Sequence, residues 1–255
     1  MNAFDLSSRR AVVVGGTSGI GRALALGLAD AGADVVATGR RESMVDAVAA
    51  EIEARGRRTL RMPADVGDTA SLVRLRDRVL NDLGGLDILV CAAGITKKVP
   101  TLEMDEADWT RILDTNVTGT LRACQVFGRQ MVTQRSGRII TIASLTSFLG
   151  MFEVAAYAAS KSAVAGLTRS LAVEWAPAGV TVNAILPGVF KTDLNRALLE
   201  SPRGQEFLMR TPMRRFGRIE ELVGAAVFLA SDAASFVTGH LLAVDGGFLA
   251  SGVNQ

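Results

Sequence analysis

The chain carries one tyrosine, Tyr157, and Lys161 stands four residues beyond it. On a helix that spacing brings both side chains to the same face, with an ammonium close to a phenol. A phenol with its ordinary pKa of about 10 is a poor base at neutral pH, but a neighbouring positive charge favours the phenolate. Such a pair can pass a proton to or from a substrate oxygen. The same spacing also describes a half-buried tyrosine beside a solvated lysine, and the rest of the chain must decide between the two.

Other chemistries lack the residues. Cys91 and Cys124 are the only cysteines and His240 is the only histidine, which leaves no disulfide framework and no metal site. A Ser-His-Asp or Cys-His hydrolase would need His240, which has no candidate nucleophile beside it in sequence, so a structural role suits it better. Net charge is +2 with the charges dispersed, and the one basic cluster, Arg55-Gly-Arg-Arg58, reads as a solvated helix end. This argues against nucleic acid and membrane-surface partners. The start, Met1-Asn-Ala-Phe-Asp-Leu, has an acid where a signal peptide wants a base, and no later apolar run approaches a membrane span. A soluble, cytoplasmic protein is expected. At 255 residues and 49% hydrophobic content, a single domain over 1–255 is expected as well.

The elements that would position the pair follow an alternating pattern. Ala11–Val14 reads as a buried strand, Gly15-x3-Gly19-x-Gly21 as a turn, and Arg22–Asp30 as a helix. Strand, glycine-rich turn and helix in that order form a phosphate cradle, because glycines let the backbone approach a pyrophosphate and the helix N-terminus offers free N–H groups. The same pattern also serves as a plain tight turn. A second strand, Asp34–Thr38, ends in Gly39-Arg40-Arg41. An acid at that place would hold a ribose 2′-hydroxyl, whereas Arg40 offers a cation for a 2′-phosphate, which points to NADP(H) over NAD(H). Further strands are expected at Thr59–Met62, Leu86–Val90, Arg138–Ser144, Val180–Leu186 and Leu241–Val244. Helices are expected at 42–54, 71–83, 106–134, 157–175 and 219–230. The fold class is therefore α/β, a doubly wound parallel sheet of Rossmann type with helices on both faces. Gly119 inside the 106–134 helix calls for close packing or function. The stretch 193–215 is broken by Pro202, Gly204 and Pro212 and reads as a substrate loop.

Taken together, Gly15-x3-Gly19-Ile20-Gly21, Ala64-Asp65-Val66, Ala93-Gly94, Asn116, Ser144, Tyr157-x3-Lys161, Pro187-Gly188 with Thr192, and the closing Val244-Asp-Gly-Gly247 resemble the short-chain dehydrogenase/reductase family over essentially the whole chain. The resemblance implies a catalytic set of Asn116, Ser144, Tyr157 and Lys161. Tyr157 would be the acid/base, Lys161 would tune it and hold the nicotinamide ribose, Ser144 would orient the substrate oxygen, and Asn116 would hold a relay water. It further implies a cofactor site of Gly15, Thr17, Ser18, Gly19, Ile20, Gly21, Arg40, Asp65, Val66, Ala93, Gly94, Tyr157, Lys161, Pro187, Gly188, Val189 and Thr192. Two departures stand out: Val14 where the family favours threonine, and Cys91-Ala92 where it favours asparagine.

Within the family the stretches 188–198 and 210–231 are similar to gluconate 5-dehydrogenases, in which a basic pair follows the Ala-Gly loop. Lys97 and Lys98 occupy that place, and Lys97 or Lys98 would meet the carboxylate of a sugar acid, although a solvated lysine pair reads at least as well. The implied activity is oxidation or reduction between an alcohol and a ketone on a sugar, sugar acid or polyol. The alternatives are a 3-oxoacyl-carrier-protein reductase and a non-catalytic dinucleotide-binding regulator. By analogy the small-residue helix after Tyr157 and the apolar tail imply a homotetramer.

Overall fold

Val12 and Val14 face one side of the sheet and Ala11 and Val13 the other, and all four are buried because helices cover both faces. Their strand, β1 (Arg10–Val14), pairs with β2 (Asp34–Thr38) on one side and β3 (Ile88–Cys91) on the other. β4 (Gly137–Ile142), β5 (Val180–Pro187) and β6 (Leu241–Val244) complete the order β2-β1-β3-β4-β5-β6, with every pair parallel. The computed structural model describes residues 2–191 and 200–252, so Thr192 and the expected loop residues 193–199 lie outside the described residues.

The helices are α1 (Gly19–Asp30), α2 (Glu42–Glu53), α3 (Thr69–Leu83), α4 (Glu106–Leu113), α5 (Gly119–Gln134), α6 (Ala155–Trp175), α7 (Pro202–Arg210) and α8 (Val223–Ala230). Leu24, Leu28, Val48, Ile52 and Leu229 bring α1, α2 and α8 onto one face. Leu72, Leu75, Phe127 and Leu171 bring α3, α5 and α6 onto the other. The doubly wound expectation holds. The strand order reverses between β1 and β3, and a crevice at the carboxyl ends of such strands is where α/β sheets bind ligands.

Three local expectations change. Thr59–Met62 does not form a strand: Val35 N donates to Arg58 O (3.0 Å) and Ala64 N to Gly39 O (3.1 Å), bonds that pin the segment to β2 at its ends without a ladder between. The 106–134 helix is interrupted by a π-helical turn over Asp114–Thr118. Gly119 follows it because a Cβ there would stand 2.9 Å from the Val66 side chain, so close packing accounts for this glycine. Within the irregular 193–215 stretch, Pro202 starts the regular helix α7 at its first turn, a position where the missing N–H costs nothing.

Candidate active site

Ser144 follows β4 in an extended conformation (φ −164°, ψ 164°), and the 3₁₀ turn Leu145–Ser147 follows it. Ser147 Oγ donates to Lys161 O (2.8 Å) and Ser162 Oγ to Thr146 O (3.3 Å), so the turn is laced to α6 and Ser144 is carried to the Tyr157 side chain. Burial pushes the Tyr157 phenol above its ordinary pKa, and a hydrogen bond with Ser144 pulls it down. Lys161 is buried, lies 5.6 Å from the Tyr157 ring centroid and donates from Nζ to Ile142 O (2.6 Å). Burial lowers its pKa to about 8. The expected effect of the lysine charge on the phenol is thus not the leading one. The lysine is turned to a backbone carbonyl, and desolvation dominates both groups.

Asn116 sits in the π turn and is almost wholly buried. Its Oδ1 accepts from Ile95 N (2.8 Å), while Nδ2 donates to Ile95 O (2.9 Å) and to Ser160 Oγ (2.9 Å). Ser160 Oγ in turn donates to Tyr157 O (2.7 Å). The amide therefore braces the loop after β3 against α6, and a Cβ on Gly94 would lie 3.4 Å from its Oδ1 and 3.6 Å from Lys161 Nζ. Ser160 is a functional neighbour that motif reading missed, being one small residue among many on this helix.

The cradle is built at the ends of β1 and β3. Gly15 has φ +79°, and a Cβ there would stand 2.4 Å from Ala93 N, so only glycine lets the two loops meet. Gly19 has φ +49° and open space where a Cβ would point. Ser18 is the N-cap of α1 but makes no side-chain cap bond, leaving the first-turn N–H groups of Gly19, Ile20 and Gly21 for an anion. A cleft of about 1280 Å³ opens there, lined by Thr17, Ser18, Gly19, Arg22 and Arg41 among others. Arg40 is exposed with no ion pair among the described residues, while it is Arg41 that lines the cleft. A Cβ on Gly39 would stand 2.7 Å from Thr17 Oγ1, which disfavours an acid at that position. Asp65 Oδ1 accepts from Gly67 N (2.8 Å), and Val66 is buried beside α5. At the far side, Pro187 ends β5, Gly188 N donates to Val244 O (2.9 Å), and Val189 O accepts from Gly217 N (2.9 Å). These residues fit a dinucleotide: a glycine-lined backbone approach, free helix N–H groups and cations beyond β2.

Residues 14–249 match the family model described as enoyl-(acyl carrier protein) reductase. The gluconate 5-dehydrogenase of Gluconobacter oxydans is 39% identical over 249 residues, covering 97% of each chain. This chain belongs to the short-chain dehydrogenase/reductase family. The 2-dehydro-3-deoxy-D-gluconate 5-dehydrogenase of Dickeya dadantii is 39% identical over 252 residues, spanning 98% of this chain and 99% of its own. A crystal structure of a gluconate 5-dehydrogenase from Burkholderia cenocepacia in complex with NADP and tartrate superposes with a TM-score of 0.94 at 38% identity, covering 98% of this chain and 99% of that one. Relatives of this kind are dehydrogenases and reductases, and this family member is an oxidoreductase.

Where the family favours asparagine at the end of β3, the Cys91 thiol meets Cys124 inside the core; that contact and burial push its pKa well up, which makes it a packing residue. The loop after β3 is charged and paired. Lys97 pairs with Asp108, which also takes Arg111 Nη2 at 2.6 Å, and Lys98 Nζ lies 3.0 Å from Glu153 Oε2. Neither lysine is simply solvated. His240 is exposed and serves through its backbone, where its N–H donates to Asn183 Oδ1 (3.0 Å). Among the described residues no helix is long and apolar enough to cross a membrane.

Proposed function

We propose that the chain is an NADP(H)-dependent oxidoreductase that interconverts a hydroxyl and a ketone on a sugar acid or a closely related sugar or polyol. The observation that carries this reading is the convergence of Ser144, Tyr157 and Lys161 beside a cradle built from Gly15 to Gly21. The cofactor supplies the hydride. Tyr157 donates a proton to the substrate oxygen in reduction and accepts it in oxidation. Ser144, hydrogen-bonded to the phenol, holds that oxygen and stabilises charge as it develops. Lys161 keeps a positive charge under the site and holds the cofactor ribose, while Asn116 fixes the loop and π turn around them. The glycine turn, with Thr17 and Ser18, takes the pyrophosphate. Asp65, Val66, Ala93 and Gly94 take the adenosine side, Arg40 the 2′-phosphate, and Pro187, Gly188, Val189 and Thr192 the nicotinamide side.

NADP is supported by the cations beyond β2 and by NADP in the structure of the Burkholderia relative. A sugar-acid substrate is supported by the names of the relatives and by the lysine pair that follows the Ala93-Gly94 loop. An acyl-carrier reductase has less support: the description of the family model points that way, while the Gluconobacter and Dickeya relatives, matched over nearly their full length, are named for sugar acids. The chain is read as one catalytic domain with 193–215 as its substrate loop, acting as a cytoplasmic homotetramer. NADPH oxidation with 5-keto-D-gluconate tests the reading. Turnover should fall by about 10²–10⁴-fold in Tyr157→Phe. A variant as active as the wild type would refute it.

A further inference from the structure

Glu153 is held at φ +63°, a backbone region that non-glycine residues rarely enter, and it stands four residues before Tyr157. Its carbonyl accepts from Val99 N (2.8 Å). Its Oε2 lies 3.0 Å from Lys98 Nζ and 3.7 Å from Arg203 Nη1, while Arg203 Nη2 donates to Phe152 O (2.7 Å). One residue therefore joins three segments: the loop after β3, the approach to α6 and the first turn of α7. The Arg203 guanidinium lies 5.7 Å from the Phe207 ring centroid and its side chain is only 20% exposed, so its orientation is set by the protein. Two cations share this single carboxylate, and Arg203 sits beyond hydrogen-bond distance of it. The positive charge is under-neutralised where these three segments meet, four residues before Tyr157.

We infer that Lys98 and Arg203 recognise the carboxylate of an acidic substrate, and that Glu153 is the internal carboxylate this group replaces. The inference rests on the sugar-acid reading above. An incoming carboxylate at the Glu153 position meets both cations and can take the planar guanidinium fork, a closer match than the single 3.7 Å approach made by Glu153. Lys97 is the lesser partner, because it is drawn outward to Asp108 on α4.

The experiment compares kcat/KM for gluconate with kcat/KM for sorbitol, a neutral polyol of equal length, using NADP. In Glu153→Gln the gluconate-to-sorbitol ratio should rise several-fold, because the competing charge is gone. In Arg203→Gln and in Lys98→Met it should fall by about tenfold, the loss of one charge-assisted contact. Ratios that stay at the wild-type value in all three variants, or that fall in Glu153→Gln, overturn the inference and make Glu153 a structural staple. If Glu153→Gln does not fold, the other two variants decide. Failure of the wild-type protein to turn over any sugar acid would instead overturn the sugar-acid reading, and this inference with it.

Discussion

Lys161 is 5% exposed, and burial moves its pKa from 10.5 to about 8. At about 1.4 kcal/mol per unit, holding the ammonium charged in the folded protein at pH 7 costs about 3 kcal/mol. Lys161→Met keeps the length of the side chain and removes that cost. It also leaves Ile142 O without the donor it has at 2.6 Å, a loss of about 1–2 kcal/mol. The net expectation at pH 7 is a gain of about 1–2 kcal/mol, or about 2–8 °C in Tm for a chain of this size. The sign with pH follows from the folded pKa lying below the unfolded one. Between about 8 and 10.5 the folded protein has released a proton that the unfolded chain still binds, so wild-type stability rises relative to the variant. By pH 10.5 the advantage of the variant should be gone. Thermal unfolding of both proteins at pH 7 and pH 10, at one fixed protein concentration, measures this. A variant that melts below wild type at pH 7, or an advantage of the same size at pH 10, would refute the reasoning. Activity should be lost throughout.

Ser144→Ala removes the hydrogen bond that pulls the Tyr157 phenol down while burial still pushes it up, so the pH at which alcohol oxidation reaches half its alkaline maximum should move upward; an unmoved midpoint would count against the pairing. Arg40→Ala and Arg41→Ala, measured separately by NADPH and NADH titration, should show about a tenfold loss for NADPH in the variant whose cation meets the 2′-phosphate, with NADH little changed; equal losses for both cofactors would remove the assignment. Gly15→Ala places a Cβ 2.4 Å from Ala93 N at a φ of +79°, so stability should fall by about 1–3 kcal/mol with NADPH affinity falling beside it, and wild-type affinity in this variant would show that the cradle is not where the cofactor binds.

The glycine turn, the strand ends and the Tyr157 helix were legible because each is local. A positive φ, a β-branched run bounded by turn residues and a four-residue spacing all leave their mark within a few positions. Thr59–Met62 misled because its composition suits a strand, whereas a ladder also needs a partner in register along its whole length. Arg203 and Glu153 were invisible as a pair because 50 residues separate them and neither lies in a motif. Gly39 was read for the carboxylate it lacks. Its packing adds the reason, since Thr17 stands where a side chain would begin.

Asn116 and Lys161 show where reading by residue type stops. Type and spacing name the groups, but which force dominates depends on what encloses them. The Asn116 amide spends its hydrogen bonds on Ile95 and Ser160, which leaves it positioning the loop that meets Gly94. Lys161 is one turn from Tyr157, as the spacing requires, yet its Nζ is anchored on Ile142 O at the end of β4. That anchor fixes the ammonium at the end of β4, the strand that leads to Ser144, under the helix that carries the phenol, at a cost in folding free energy that a methionine would avoid. A charge kept in so unfavourable a place is accounted for by the chemistry it serves, which is why the stability gain in Lys161→Met and its loss of activity should appear together.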